Sequence, residues 1–100
     1  MNKEILRDHL HRRHLGRSRS VSSRELERTL HTTGKDLREQ VNRLRREGVP
    51  IASDRNGYFY AATAGEVYET IRGLEKLRDG LNAAIHGLES SLHDFPGLGR

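Results

Sequence analysis

Two helix starts only eleven residues apart, at Ser22 and Thr33, constrain this chain more than any other feature. Ser22-x-x-Glu25 is a capping box: the Ser hydroxyl accepts from a backbone N–H that the helix leaves unpaired, and Glu25 reaches back. Val21 before it and Leu26 inside the helix are placed for a hydrophobic staple. This helix is predicted to start at Ser22 and stop near His31. Thr33-x-x-Asp36 repeats the pattern, so a second helix follows after about two residues. Gly34 opens that helix and lets the two backbones approach closely.

The short joint fits a helix-turn-helix pair. In its second helix Leu37, Val41 and Leu44 recur at i, i+4 and i+7 as one apolar stripe. At about 100° per residue the opposite face carries Lys35, Glu39 and Arg46, flanked by Arg38, Asn42 and Arg43. Arg and Lys can read guanine and Asn can read adenine; the bland alternative is a solvated charged face. Gly48 follows the last turn as a candidate left-handed cap. Beyond it, Pro50-Ile51-Ala52 and Tyr58-Phe59-Tyr60-Ala61 are strand-like, and Asn56-Gly57 between them suits a hairpin turn with positive φ. Arg55 sits beside the tip.

The run GVPIASDRNGYFYA after a basic helix resembles the wing of bacterial and phage winged helix proteins. The DNA-binding domain of the biotin-repressor type has a similar ending of helix, Gly, strand and Asn-Gly-Tyr strand. The resemblance spans roughly Ile5 to Thr63, about 60% of the chain. It implies a winged helix-turn-helix domain with recognition helix 33–47 in the major groove of double-stranded DNA and wing 50–61 on the backbone. Lys35, Arg38, Glu39 and Asn42 are then the candidates for base contacts. Thr32, Thr33, Arg43, Arg46 and Arg55 are the candidates for phosphates.

Charge agrees with a polyanion-binding front. Residues 1–48 hold 13 Lys/Arg against 7 Asp/Glu, whereas residues 49–100 hold 5 against 7. With 33% hydrophobic residues and five aromatics the core must be small, so oligomerisation would help. No cysteine is present, which removes disulfides and Cys-based zinc sites and fits a cytoplasmic protein. No apolar run approaches the ~18 residues of a membrane span. His9, His11 and His14 invite a metal reading, but only His11 and His14 have a ligand-like spacing, so no metal site is expected. Neither a phosphate loop nor a paired-carboxylate or triad spacing stands out, and no enzyme, cofactor or small-molecule ligand is expected.

The two ends complete the organisation. Met1 to His14 is a predicted first helix with Asn2 as N-cap, a narrow apolar face of Ile5, Leu6 and Leu10, and Gly16 as its stop. The loop Gly16–Ser20 is expected to be flexible and basic, and either touches phosphates or is a surface loop with no role. Thr63-x-x-Glu66, with Ala62 and Val67 as a weak staple, starts a last helix that can run to about His93, ahead of Pro96. In it Val67, Ile71, Leu74, Leu81, Ile85, Leu88 and Leu92 fall on alternating heptad seam positions, interrupted only by Arg78. Gly73, Gly80 and Gly87 all fall on the outer c position. This pattern predicts a coiled-coil homodimer, with packing on the first helix as the alternative; the orientation stays open, and an antiparallel pair would keep Arg78 from facing its own copy.

The expectations are therefore a mainly α fold with a small β-hairpin (α+β). A winged helix-turn-helix domain would occupy 1–62, a coiled-coil helix 63–94 and a disordered tail 95–100. The expected function is sequence-specific DNA binding by a small dimeric regulator of transcription. The alternative is a protein-interaction or architectural module that uses the winged helix as scaffold and the coiled coil to recruit a partner.

Overall fold

The helices begin where short polar side chains capture a free backbone N–H. In the computed structural model, which describes residues 1–97, Asn2 Oδ1 accepts from Ile5 N at 2.9 Å and starts α1 (Lys3–Arg13). Ser22 Oγ accepts from Glu25 N at 3.1 Å and starts α2 (Ser23–Thr29). Thr33 Oγ1 accepts from Asp36 N at 3.1 Å and starts α3 (Gly34–Arg46). A hairpin of β1 (Ile51–Asp54) and β2 (Gly57–Tyr60) follows, then α4 (Ala64–Ser91), whose first turn is capped by Thr63. The fold is mainly α with a small antiparallel β-hairpin, as the sequence predicted.

The joints follow from backbone chemistry. After α3, Gly48 at φ +87° lets Val49 N–H reach Leu44 O (3.0 Å) and Gly48 N–H reach Arg45 O (3.0 Å), a Schellman closure. Between α2 and α3 the left-handed position is His31 at φ 53°, and Thr32 N–H reaches back to Glu27 O at 3.0 Å. His tolerates this conformation better than most side chains. At Gly34 a Cβ would meet side chains, Glu27 Oε2 of α2 at 3.3 Å and an Arg38 guanidinium nitrogen at 3.4 Å, and not the close helix backbone that was expected.

The hairpin pairs Ile51 with Tyr60 and Asp54 with Gly57, so its loop is Arg55-Asn56, one residue earlier than expected. The Asp54 carboxylate explains the shift by accepting from Asn56 N (2.8 Å) and Gly57 N (3.2 Å). Gly57 alone then takes positive φ, at +138°. Val21 adds to the outer edge of β2, exchanging two backbone hydrogen bonds with Tyr58 (2.9 and 2.8 Å).

Contacts divide the chain into Met1–Thr70 and Ile71–Arg100. In the first unit Leu6 and Leu10 of α1, Leu26 of α2, Leu37, Val41 and Leu44 of α3, and Val21 and Ile51 form one buried cluster. Ile5 is not part of it. It stands 51% exposed in a shallow groove with His9, Arg12 and Leu30, so the first helix buries a narrower face than its sequence suggests.

In the second unit the α-helix ends at Ser91, and Leu92 belongs to a short 3₁₀ turn, Leu92–Asp94. The last three residues of the predicted tail, 98–100, lie outside the described residues. No helix among the described residues is long and apolar enough to cross a membrane.

Candidate nucleic-acid interface

Helix α3 divides its residues by periodicity. Leu37, Val41 and Leu44 are buried, and Lys35, Arg38, Glu39, Asn42, Arg43 and Arg46 are exposed. Thr33 at the N-cap and Arg55 at the hairpin tip are exposed as well. The exposed side therefore joins cations, the Glu39 carboxylate, an amide and a hydroxyl. Of the carboxylates on or beside α3, Asp36 and Glu47 are engaged. Asp36 accepts from Thr32 Oγ1 at 2.7 Å and from Gln40 Nε2 at 3.1 Å. These two hydrogen bonds hold its pKa below the usual carboxylate value, so it is ionised at neutral pH. Glu47 pairs with Lys3 of α1.

Thr32 differs from its neighbour. Its hydroxyl goes to Asp36 and its N–H to Glu27 O, so both of its donors are engaged within the fold. Thr33 only accepts through its hydroxyl oxygen, which leaves the hydroxyl proton to donate.

Two polar residues of α3 have structural work that sequence reasoning passed over. Arg45 is half-buried, and its Nε donates to Ile51 O at 2.8 Å while its second guanidinium nitrogen donates to Ser53 Oγ at 3.0 Å. Burial draws its pKa below the ordinary arginine value, which still leaves it charged. Gln40 is buried against Asp36. The signal was available in their spacing. Gln40 lies three residues after Leu37 and four before Leu44, and Arg45 lies four after Val41, so both flank the apolar stripe.

The loop expected to be flexible and basic has a different role. Residues Arg17–Arg19 form a 3₁₀ turn, and Arg17 N donates to Glu66 Oε2 at 2.9 Å. The Arg17 guanidinium pairs with Glu69 and lies 3.9 Å from Asp54. Arg17 thus lies against acids of β1 and the start of α4 while remaining exposed. Glu66 also accepts from Ala62 N at 2.7 Å, one residue beyond the position a capping box would use. The backbone N–H groups of Arg17 and Ala62 hold the Glu66 pKa down. Thr70, nearly buried, accepts from Ser53 N at 3.2 Å.

The three histidines of the first segment pack against neighbouring groups. His9 and His14 lie 5.2 Å apart between ring centres, and His11 lies 4.5 Å from Tyr60. His14 Nδ1 contacts Arg19 O at 2.9 Å; a carbonyl only accepts, so Nδ1 carries the proton.

The predicted seam of α4 is divided. Val67 lies in the first unit and is partly buried, whereas Ile71, Leu74, Leu81, Ile85, Leu88 and Leu92 are exposed. Leu77, which the heptad reading left out, is 66% exposed beside them. Gly73, Gly80 and Gly87 meet nothing within 4 Å. Comparison of the chain with known protein families, curated proteins and solved structures finds no match.

Proposed function

We propose that this chain binds double-stranded DNA sequence-specifically, as a winged helix-turn-helix regulator of transcription of the bacterial or phage type. In this reading it is a cytoplasmic homodimer through α4, without catalytic activity, metal or cofactor. The observation that carries the reading is the two-sided character of α3. One side is locked into the core, and the other offers Lys35, Arg38, Glu39 and Asn42 together, with an exposed arginine on the neighbouring hairpin tip. In the major groove the first turns of α3 reach deepest, so Arg38 is suited to guanine and Asn42 to adenine. Thr33, Arg43, Arg46 and Arg55 hold phosphates and set the register. Thr32, with both donors engaged, supports Asp36 instead. Paired through α4, two heads would meet successive major grooves about 34 Å apart on a two-fold-symmetric site.

Fluorescence anisotropy with a labelled random 30-bp duplex at two salt concentrations tests this. A head neutralising about six phosphates binds with a log–log salt slope near −5. Selection of sites from a random pool should then return a preferred sequence. A chain that ignores duplex DNA at low salt overturns the reading, and the winged scaffold would then serve a protein partner.

A further inference from the structure

We propose that α4 pairs with a second copy of the chain in antiparallel register about a two-fold axis between Asp79 and Gly80, with Leu77 as a seam residue. The inference rests on the homodimer of the preceding reading and gives it an orientation and a centre. The occupant follows from self-complementarity. An antiparallel seam joins a positions of one helix to d positions of the other. An axis between residues 79 and 80 sets Ile71 against Leu88 and Leu74 against Ile85, so apolar side chains meet apolar ones on both sides of the centre. Arg78 then faces Leu81, and its long side chain can carry the guanidinium outward to water. A parallel pair would instead place two Arg78 guanidinium groups together in the seam.

Leu77 resolves the one break in the row. It lies three residues after Leu74 and four before Leu81, on the same helix face as both, and is 66% exposed. It covers the gap that Arg78 leaves at the centre. This is why an arginine is tolerated there.

The exposed area is sufficient for a specific contact. Ile71, Leu74, Leu77, Leu81, Ile85, Leu88 and Leu92 are between 42% and 70% exposed. At roughly 100 Å² of apolar surface per side chain, they present about 400 Å² on each copy. Homodimer interfaces are about 65% apolar, which implies about 600 Å² per copy and about 1,200 Å² in all. That lies at the lower end of standard interfaces, so dimerisation should be reversible on dilution.

The chain has no cysteine, so introduced ones report orientation unambiguously. In the full chain carrying both Ile71→Cys and Leu88→Cys, mild oxidation should give a covalent dimer. Either single variant should stay uncrosslinked, because equal positions then lie about 25 Å apart along the pair. A covalent dimer from Leu88→Cys alone establishes parallel pairing and overturns the proposal. So does a monomer in sedimentation equilibrium of the unmodified chain. Leu77→Ala should weaken dimerisation about tenfold, whereas Arg78→Ala should not weaken it. The reverse ranking removes Leu77 from the seam.

All of these readouts are made without DNA, so the two readings fail separately. A monomer that still binds duplex with steep salt dependence overturns the pairing alone. An antiparallel dimer that ignores duplex overturns the DNA reading alone.

Discussion

Replacing Gly57 with Ala should cost far more than replacing any other positive-φ glycine of the head. Gly57 takes φ +138°, a region that side chains rarely adopt, and a Cβ built there lies 1.9 Å from Val21 O and 2.9 Å from Ser22 Cα. Two terms add. Holding a non-glycine residue in such a conformation costs about 1–3 kcal/mol. Moving Val21 away breaks its two hydrogen bonds with Tyr58, at about 0.5–1.5 kcal/mol each. The sum, about 2–6 kcal/mol, is a large part of the 5–15 kcal/mol typical of a domain. Ser22 is the N-cap of α2, so displacement there also loosens the helix that supports α3. Gly48 is the internal control. Its φ is +87° with nothing within 4 Å of a Cβ, so Gly48→Ala suffers only the left-handed penalty of about 1–2 kcal/mol. Urea unfolding followed by circular dichroism measures both variants. Equal losses for Gly57→Ala and Gly48→Ala would show that the Val21 contact contributes nothing, and would refute the reasoning.

Arg38→Ala should cost about 1–3 kcal/mol of DNA affinity and relax sequence preference, whereas Arg55→Ala should weaken all sequences alike and flatten the salt slope by about 1. Equal losses on every duplex for both variants, measured by anisotropy, would refute that division of labour. Arg45→Ala should destabilise the fold by about 1–3 kcal/mol, because the partly buried Ile51 carbonyl and Ser53 hydroxyl lose their donor. Its DNA affinity should match the unmodified protein once the folded fraction is accounted for, and a selective loss of affinity would move Arg45 into the interface. For His9, burial, then His14 and Arg13, hold the imidazole pKa below its usual 6.5. The unfolded chain therefore binds a proton more readily, so this contribution to stability is present above about pH 6.5 and is lost as pH falls toward the folded pKa. His9→Gln should flatten the fall of Tm between neutral pH and pH 5, and an unchanged slope would exclude His9 as its source.

What could be read from the sequence was local, and what escaped it was mostly distant. The caps at Asn2, Ser22 and Thr33 lie within three residues of the N–H groups they bind, so spacing alone located the starts of α1, α2 and α3. The exposed row of α3 followed from helical period in the same way. Arg17 was misjudged because its partners Glu66 and Glu69 lie 49 and 52 residues away, and nothing near Arg17 distinguishes it from Arg19. Val21 was expected to pack against Leu26, and its backbone pairing with Tyr58 has no sequence signal, since one residue makes no alternating pattern. The hairpin loop moved by one residue because an Asp54 side chain, not a second positive-φ residue, organises the turn. The end of α2 near His31 was expected, but not the left-handed conformation of His31 itself, because such a cap is usually looked for at Gly.

The polar bridges that sequence reasoning missed bear directly on the proposed interface. A helix that reads bases and a hairpin that grips phosphate cooperate only if their separation is fixed before DNA arrives, since ordering them on binding would consume affinity. Core packing alone could let a short two-stranded hairpin rock on α3. Arg45 prevents this by donating across the joint to Ile51 O and Ser53 Oγ, at the first and third residues of β1. Arg55 follows β1 directly, so the same contacts that anchor the strand also fix the base of the loop that carries Arg55. Ser53 is held from its other side by Thr70 at 3.2 Å, and Asp54 lies near Arg17 while capping the loop. Arg45, Ser53, Thr70, Asp54 and Arg17, all outside the proposed contact set, thus support the geometry of those inside it. Arg45 and Arg17 reach acceptors within the fold, whereas Arg38, Arg43, Arg46 and Arg55 are exposed, and in the proposed reading these four are the arginines left for bases and phosphates.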